Sequence, residues 1–196
     1  MVVGFGGSIG VGKTTNSHLL SRILKENGYD SEVFSFADPL RSFCSELLGK
    51  DFLALSKDRE QKDVAKECYS VFSDTGKWLS PRDVLKAVGS SIRASFSDDI
   101  FCTLMTKRIE DSSCDFIFVD DVRWPVEAGL FLDDSLSRDR FLVSLFRDGV
   151  ENSWDYNFGT CDYEIVTLPE ADINSEAYRD FLISSFSGYL GVRGLI

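Results

Sequence analysis

The chain has one histidine, His18, and five cysteines (Cys44, Cys68, Cys102, Cys114, Cys161), none of them in C-x-x-C spacing. With no second imidazole and no paired thiols, the sequence argues against zinc as an organising element. Cysteines that are odd in number and widely scattered read as reduced core thiols in a cytosolic protein. Basic charge is also scarce: 21 Lys and Arg stand against 32 Asp and Glu, a net charge of −11. That balance argues against nucleic acid or an anionic membrane as a partner, because both need broad basic surface. Any anionic ligand must be met by a local cluster of Lys and Arg. No apolar run is long enough to span a bilayer, and no signal peptide precedes the first apolar segment, so a soluble, cytoplasmic protein is expected. Internal repeats, low-complexity tracts and linkers are missing too, which predicts one domain over residues 1–196.

Against those absences stands one dense feature, Gly7-Ser8-Ile9-Gly10-Val11-Gly12-Lys13-Thr14, which fits the phosphate-loop pattern G-x-x-x-x-G-K-[ST]. Its surroundings suit it. Val2-Val3-Gly4-Phe5 reads as a buried strand, and Leu19, Leu20, Ile23 and Leu24 recur at helical spacing until Gly28. Glycines let backbone N–H groups close around phosphate oxygens, and a helix N-terminus adds partial positive charge. Lys13 is placed to reach the β- and γ-phosphates and the Thr14 hydroxyl to hold Mg²⁺. The candidate ATP-binding set is therefore Gly7, Ser8, Gly10, Val11, Gly12, Lys13, Thr14 and Thr15.

The rest of the chain alternates strand and helix. Ser31–Phe36 predicts a second strand, and Asp38-Pro39 a helix with Asp38 as N-cap and an apolar stripe of Leu40, Phe43, Cys44, Leu47 and Leu48. Leu55–Cys68 is charged and reads as helical, while Ser73–Gly76 is a loop. Ser80-Pro81-Arg82-Asp83 starts a helix with cap, proline and first-turn acid in order. Ser97-Asp98-Asp99 starts another, with Ile100, Phe101, Leu104, Met105 and Ile109 on its buried face. Phe116–Val119 has the unbroken apolar pattern of a central parallel strand. A short helix from Pro125, a strand at Phe141–Phe146, an edge strand at Tyr163–Val166 and a helix from Ser175 follow. The last helix is expected to bury Tyr178, Phe181, Leu182 and Phe186. The order implies an α/β fold of three layers, a doubly wound parallel sheet of about five strands with helices on both faces. Ligands of such sheets bind beyond the carboxyl ends of the strands, which predicts the loop, Asp38, Asp121, Arg123 and Arg147 on one rim.

Three further groups carry candidate chemistry. Asp121, directly after a hydrophobic strand, is where P-loop enzymes place an acid for Mg²⁺ or its water, and Asp120 competes with it. Arg123 is positioned to grip a phosphate in bidentate fashion. On the helix from Pro81, at about 100° per residue, Arg82, Lys86, Gly89 and Arg93 fall within about 60° of one another, opposite Val84, Leu85, Val88 and Ile92. That basic stripe is either a solvated face or an anion site in which Gly89 lets a ligand near the backbone. Trp78, Trp124 and Trp154 are each either core or a platform for a base.

With these residues in place, the sequence resembles the deoxynucleoside monophosphate kinases of bacteriophages. Four segments carry the resemblance in order: Gly7–Thr14, Phe36-Ala37-Asp38-Pro39-Leu40-Arg41, Pro81–Arg93, and Val119–Ala128 with its D-V-R-x-P-x-E-A core. Leu145-Phe146-Arg147 is a weaker fifth. The resemblance implies transfer of the γ-phosphate of ATP, with Mg²⁺, to a (deoxy)nucleoside monophosphate. It assigns Asp38 and Arg41 to the acceptor pocket, and Arg82, Arg93 and Arg123 to the acceptor phosphate, with Lys86, Gly89 and Trp124 beside them. Arg147 then approaches the donor phosphates or the adenine. Lys13, Asp121, Arg123 and Arg147 are thus the expected catalytic set, Thr14 and Asp121 the metal set. The resemblance also implies a helical acceptor region at about 50–112 and a lid at about 148–160, and places the protein in the host cytoplasm if a phage encodes it. Yet residues 148–160 hold Asp148, Glu151 and Asp155 and no Lys or Arg. A kinase for another small acceptor, such as a phosphorylated metabolite or coenzyme precursor, shares every donor-side residue. A P-loop ATPase or nucleotide switch is a third reading. Whether the chain forms a homodimer is left open.

Overall fold

The computed structural model describes residues 1–133, 136–150, 161–167 and 175–190. In chain order its elements are β1 (Val2–Gly6), α1 (Lys13–Glu26), β2 (Ser31–Phe34), α2 (Asp38–Leu48), α3 (Asp51–Lys57), a 3-10 helix (Glu67–Phe72), α4 (Pro81–Ser95), α5 (Ile100–Asp111), β3 (Phe116–Val119), α6 (Pro125–Leu132), β4 (Arg140–Arg147), β5 (Tyr163–Thr167) and α7 (Glu176–Leu190). They form two compact units, one of Met1–Ser35 with Met105–Ile196, the other of Phe36–Leu104. Among the described residues no helix is long and apolar enough to cross a membrane.

The first unit is built on a sheet of order β2-β3-β1-β4-β5 in which every pairing is parallel. Strand β1 is fully buried and lies between β3 and β4, as its unbroken apolar run requires. Alternation along β1 sorts the helices onto two faces. Val3 and Phe5 join Leu19, Leu20, Ile23 and Leu24 of α1 and Tyr178, Leu182 and Phe186 of α7 in one core. Gly4 points the other way, where a Cβ would come within 2.9 Å of the Phe131 ring of α6. Helices therefore cover both faces of the sheet. Strand β2 stops at Phe34, two residues before the expected end, because Ser35 turns its side chain into a hydrogen bond with Asp121.

In the second unit, α4 begins as its sequence dictates: Ser80 Oγ accepts from Asp83 N, and Asp83 Oδ2 accepts from Ser80 N. Three expectations fail here for local reasons. Asp38 is not an N-cap; Ala37 holds that place, and the Asp38 carboxylate instead takes Arg41 at 3.2 Å, one turn on, and Lys57 at 3.9 Å. The charged stretch from Leu55 to Cys68 is no continuous helix. Helix α3 ends at Lys57 because Asp58 Oδ1 accepts from the N–H groups of Glu60 and Gln61, offering the backbone a turn instead. The α2 stripe is only half used: Leu40 and Cys44 are buried, while Phe43 is 49% and Leu47 59% exposed. Likewise Leu104 of α5 is 40% exposed, although Phe101, Met105 and Ile109 are buried as expected.

Candidate functional site

The loop between β1 and α1 takes the conformation that its glycines permit. Gly7, Gly10 and Gly12 all have positive φ, 129°, 90° and 92°. At Gly7 a Cβ would stand 2.4 Å from the Leu145 carbonyl oxygen of β4, so only glycine fits where the loop leaves the sheet. Val11 is 2% exposed and belongs to the core, pinning the loop from below, while Ile9 and Gly10 form an exposed tip. Gly12, left-handed, caps α1. The first helical residues Lys13 and Thr14 thus stand at a helix N-terminus whose N–H groups are anion donors. Thr14 is exposed and Thr15 half-buried.

Lys13 folds back on its own loop, donating from Nζ to the Gly7 carbonyl at 2.7 Å and the Ser8 carbonyl at 2.9 Å. Burial, and next the Arg123 guanidinium, push its pKa down to about 8, against the opposing pull of Asp121 and Asp120. Lys13, Arg123, Asp121 and Asp120 therefore share one electrostatic neighbourhood, as their sequence positions imply. Both acids are 7% exposed at the end of β3. Asp121 Oδ2 accepts from Ser35 Oγ at 2.5 Å, a bond formed because β2 and β3 run parallel with Phe34 opposite Val119. The turn after Asp121 is held from behind: the buried Glu127 carboxylate accepts from the N–H groups of Arg123 and Trp124 at 2.8 and 3.0 Å. Arg123 and Trp124 themselves are exposed. Arg147, the last residue of β4, brings its guanidinium to Gly12, where a Cβ would lie 2.9 Å from Nη2. The carboxyl ends of β2, β3, β1 and β4 thus carry Ser35, Asp121, the loop and Arg147 in spatial order.

Sequence reasoning missed three members of this neighbourhood. The sequence pattern places Ser35 in a strand and Tyr178 in the core, and gives Asn16 no role. Asn16 is fully buried, and its Nδ2 donates to the Gly12 carbonyl at 2.8 Å while its Oδ1 accepts from the Tyr178 hydroxyl at 2.6 Å. A polar amide among the buried residues of α1 was the available signal, since such a group needs partners.

In the second unit the basic stripe of α4 differs from its expectation. Gly89 does not face outward: it is buried, and a Cβ there would lie 3.1 Å from Leu40 Cδ2 of α2. The missing side chain serves helix packing, not ligand access. Val84 is buried, but Leu85, Val88 and Ile92 are only half-buried. Lys86 is exposed; Arg82 pairs through Nε with Asp63 at 2.7 Å, and Arg93 lies over the Phe101 ring, 4.8 Å from its centroid. Asp38 and Arg41 form the α2 pair already described. Trp78 is 54% exposed. Trp154 and residues 151–160 of the expected lid lie outside the described residues.

No family model matches the chain, and no curated protein matches it. Among solved structures it is similar to cobyrinic acid a,c-diamide synthase from Mycobacterium smegmatis with bound ATP analog and magnesium, at 12% identity and a TM-score of 0.42, over 96% of this chain and 82% of that one. A likeness of that degree bears on neither the reaction nor the acceptor.

Proposed function

We propose that the chain is an ATP-dependent phosphotransferase that moves the γ-phosphate of ATP to a (deoxy)nucleoside 5′-monophosphate. The observation that carries this reading is the glycine-built loop at the head of α1, with Lys13 inside it and Asp120, Asp121 and Arg123 within its electrostatic reach. Thr14 and Asp121, or Asp120, are suited to Mg²⁺, which when bound would neutralise charge between the β- and γ-phosphates. Their hard oxygen donors fit that ion. Lys13 exchanges two loop carbonyls for phosphate oxygens, and Arg147 lies against the same loop. The acceptor side is read from the resemblance: Arg82, Arg93 and Arg123 for the phosphate, Asp38, Arg41 and Lys86 around it, and exposed Trp124 for the base. Gly89 drops out as a contact because it is filled by Leu40.

No general base is needed, because the acceptor phosphate is already an anion. The chain's own groups align donor and acceptor and offset charge. A phosphotransfer screen of ATP against all ribo- and deoxynucleoside monophosphates tests the proposal. Turnover with one or a few of them supports it; turnover only with other phosphorylated small molecules, or ADP formation independent of any acceptor, overturns it.

A further inference from the structure

The phosphate loop is tied to a residue 162 positions away from Asn16, near the end of the chain. Tyr178 of α7 donates its hydroxyl to Asn16 Oδ1 at 2.6 Å, and both residues are completely buried. The Gly12 carbonyl can only accept, so the Asn16 nitrogen must face the loop and its oxygen the phenol, whose hydroxyl then donates and holds the amide in that orientation. Asn16 Nδ2 donates to the Gly12 carbonyl at 2.8 Å, beside the backbone bond from Asn16 N to the same oxygen at 2.9 Å. The peptide joining Gly12 to Lys13 is planar and trans, so its C=O and N–H point in opposite directions. Anchoring the Gly12 carbonyl inward therefore aims the Lys13 N–H outward, from the end of α1 where a phosphate would sit. Gly12 needs such an anchor: its left-handed conformation (φ 92°, ψ 19°) is one a glycine leaves readily.

We infer that Asn16 and Tyr178 are positioning residues, which hold the Gly12–Lys13 peptide in its phosphate-binding orientation, so that ATP affinity depends on a hydroxyl supplied by the C-terminal helix. The inference rests on the proposed reading of the loop. It differs from ordinary packing in one respect. The Tyr178 ring has its own place in the core, with the Phe181 ring centroid 5.8 Å away, and keeps it without the hydroxyl.

The test compares Tyr178→Phe with Leu182→Val, a change in the same core and helix that leaves the network alone. ATP with Mg²⁺ is titrated by calorimetry at a temperature well below both melting transitions, and kcat and KM are measured alongside. Tyr178→Phe should raise the Kd and KM for ATP about three- to tenfold, the worth of one hydrogen bond, with kcat at saturation and acceptor KM within about twofold of wild type. Leu182→Val should lower Tm and leave the ATP Kd within about twofold. An unchanged Kd in Tyr178→Phe overturns the inference, as does an equal rise in Leu182→Val, which would make the effect one of core packing. If the wild-type chain binds no ATP, the proposed function fails and this inference with it; if wild type binds and Tyr178→Phe binds equally, the inference alone fails.

Discussion

ATP binding should take up a proton in the range where most lysines are already charged. In the ligand-free chain, burial and the nearby Arg123 hold Lys13 at about 8, against an ordinary value of 10.5. On the proposed reading a polyphosphate would replace the Gly7 and Ser8 carbonyls as the lysine's partner and restore the charged form. At pH 8 about half of the free chains carry a neutral Lys13, so binding should take up about half a proton; at pH 9 the uptake should approach one. Apparent affinity should fall about twofold at pH 8 and about tenfold at pH 9 relative to pH 7. The γ-phosphate titrates near pH 6, so uptake above pH 7.5 belongs to the protein. The assay is calorimetry in two buffers with different heats of ionisation, since proton uptake makes the observed enthalpy buffer-dependent. The same shift acts on folding. The folded lysine binds fewer protons than the unfolded one between about pH 8 and 10.5, so its penalty on ligand-free stability is full below pH 8 and is relieved as pH rises through that window. Lys13→Met should remove this rise. A binding enthalpy independent of buffer at pH 8–9 would mean instead that Lys13 is charged throughout.

Three further outcomes are expected. Gly7→Ala places a Cβ 2.4 Å from the Leu145 carbonyl at a φ of 129°, so it should lower stability by about 3 kcal/mol or more, or about 6–12 °C in Tm. Gly28→Ala, at a φ of 84° with open space around it, should lose only about 1–2 kcal/mol; equal melting temperatures would contradict this account of the loop. Asp121→Asn should raise the Mg²⁺ concentration needed for half-maximal rate, and Ser35→Ala should do so by less, since it removes only the hydroxyl that orients the carboxylate; an unchanged metal titration in Asp121→Asn would move the role to Asp120. Arg82→Ala and Arg93→Ala should each raise acceptor KM by about ten- to a hundredfold with ATP affinity unmoved, and a change below about threefold would return the α4 stripe to solvent.

The first unit was largely legible in the sequence, because its signals are local and redundant. An apolar run, three glycines, a lysine and an apolar helix period all place the loop, and Phe116–Val119 could hardly be anything but a buried strand. The second unit was less legible because its outcome turns on single polar side chains. Asp58 stops α3 by capping a turn, and Asp38 reaches forward to Arg41, neither of which hydrophobic periodicity can show. Gly89 shows a different limit: glycine at the centre of a basic stripe marks close approach, but spacing along one helix cannot say whether a ligand or Leu40 of another helix fills the space. Ser35 and Tyr178 were hidden by distance, because their partners lie 86 and 162 residues away in sequence.

We propose that the Gly7–Thr14 loop holds ATP for transfer to a nucleoside monophosphate. It is tested most directly by ADP formation from ATP and Mg²⁺, with and without monophosphate acceptors, in wild type and in Lys13→Ala. ADP formation in wild type should depend on the acceptor and should fall by about two to three decades in a Lys13→Ala variant that remains folded. Near-normal turnover in that variant, or no dependence on any monophosphate, would contradict it.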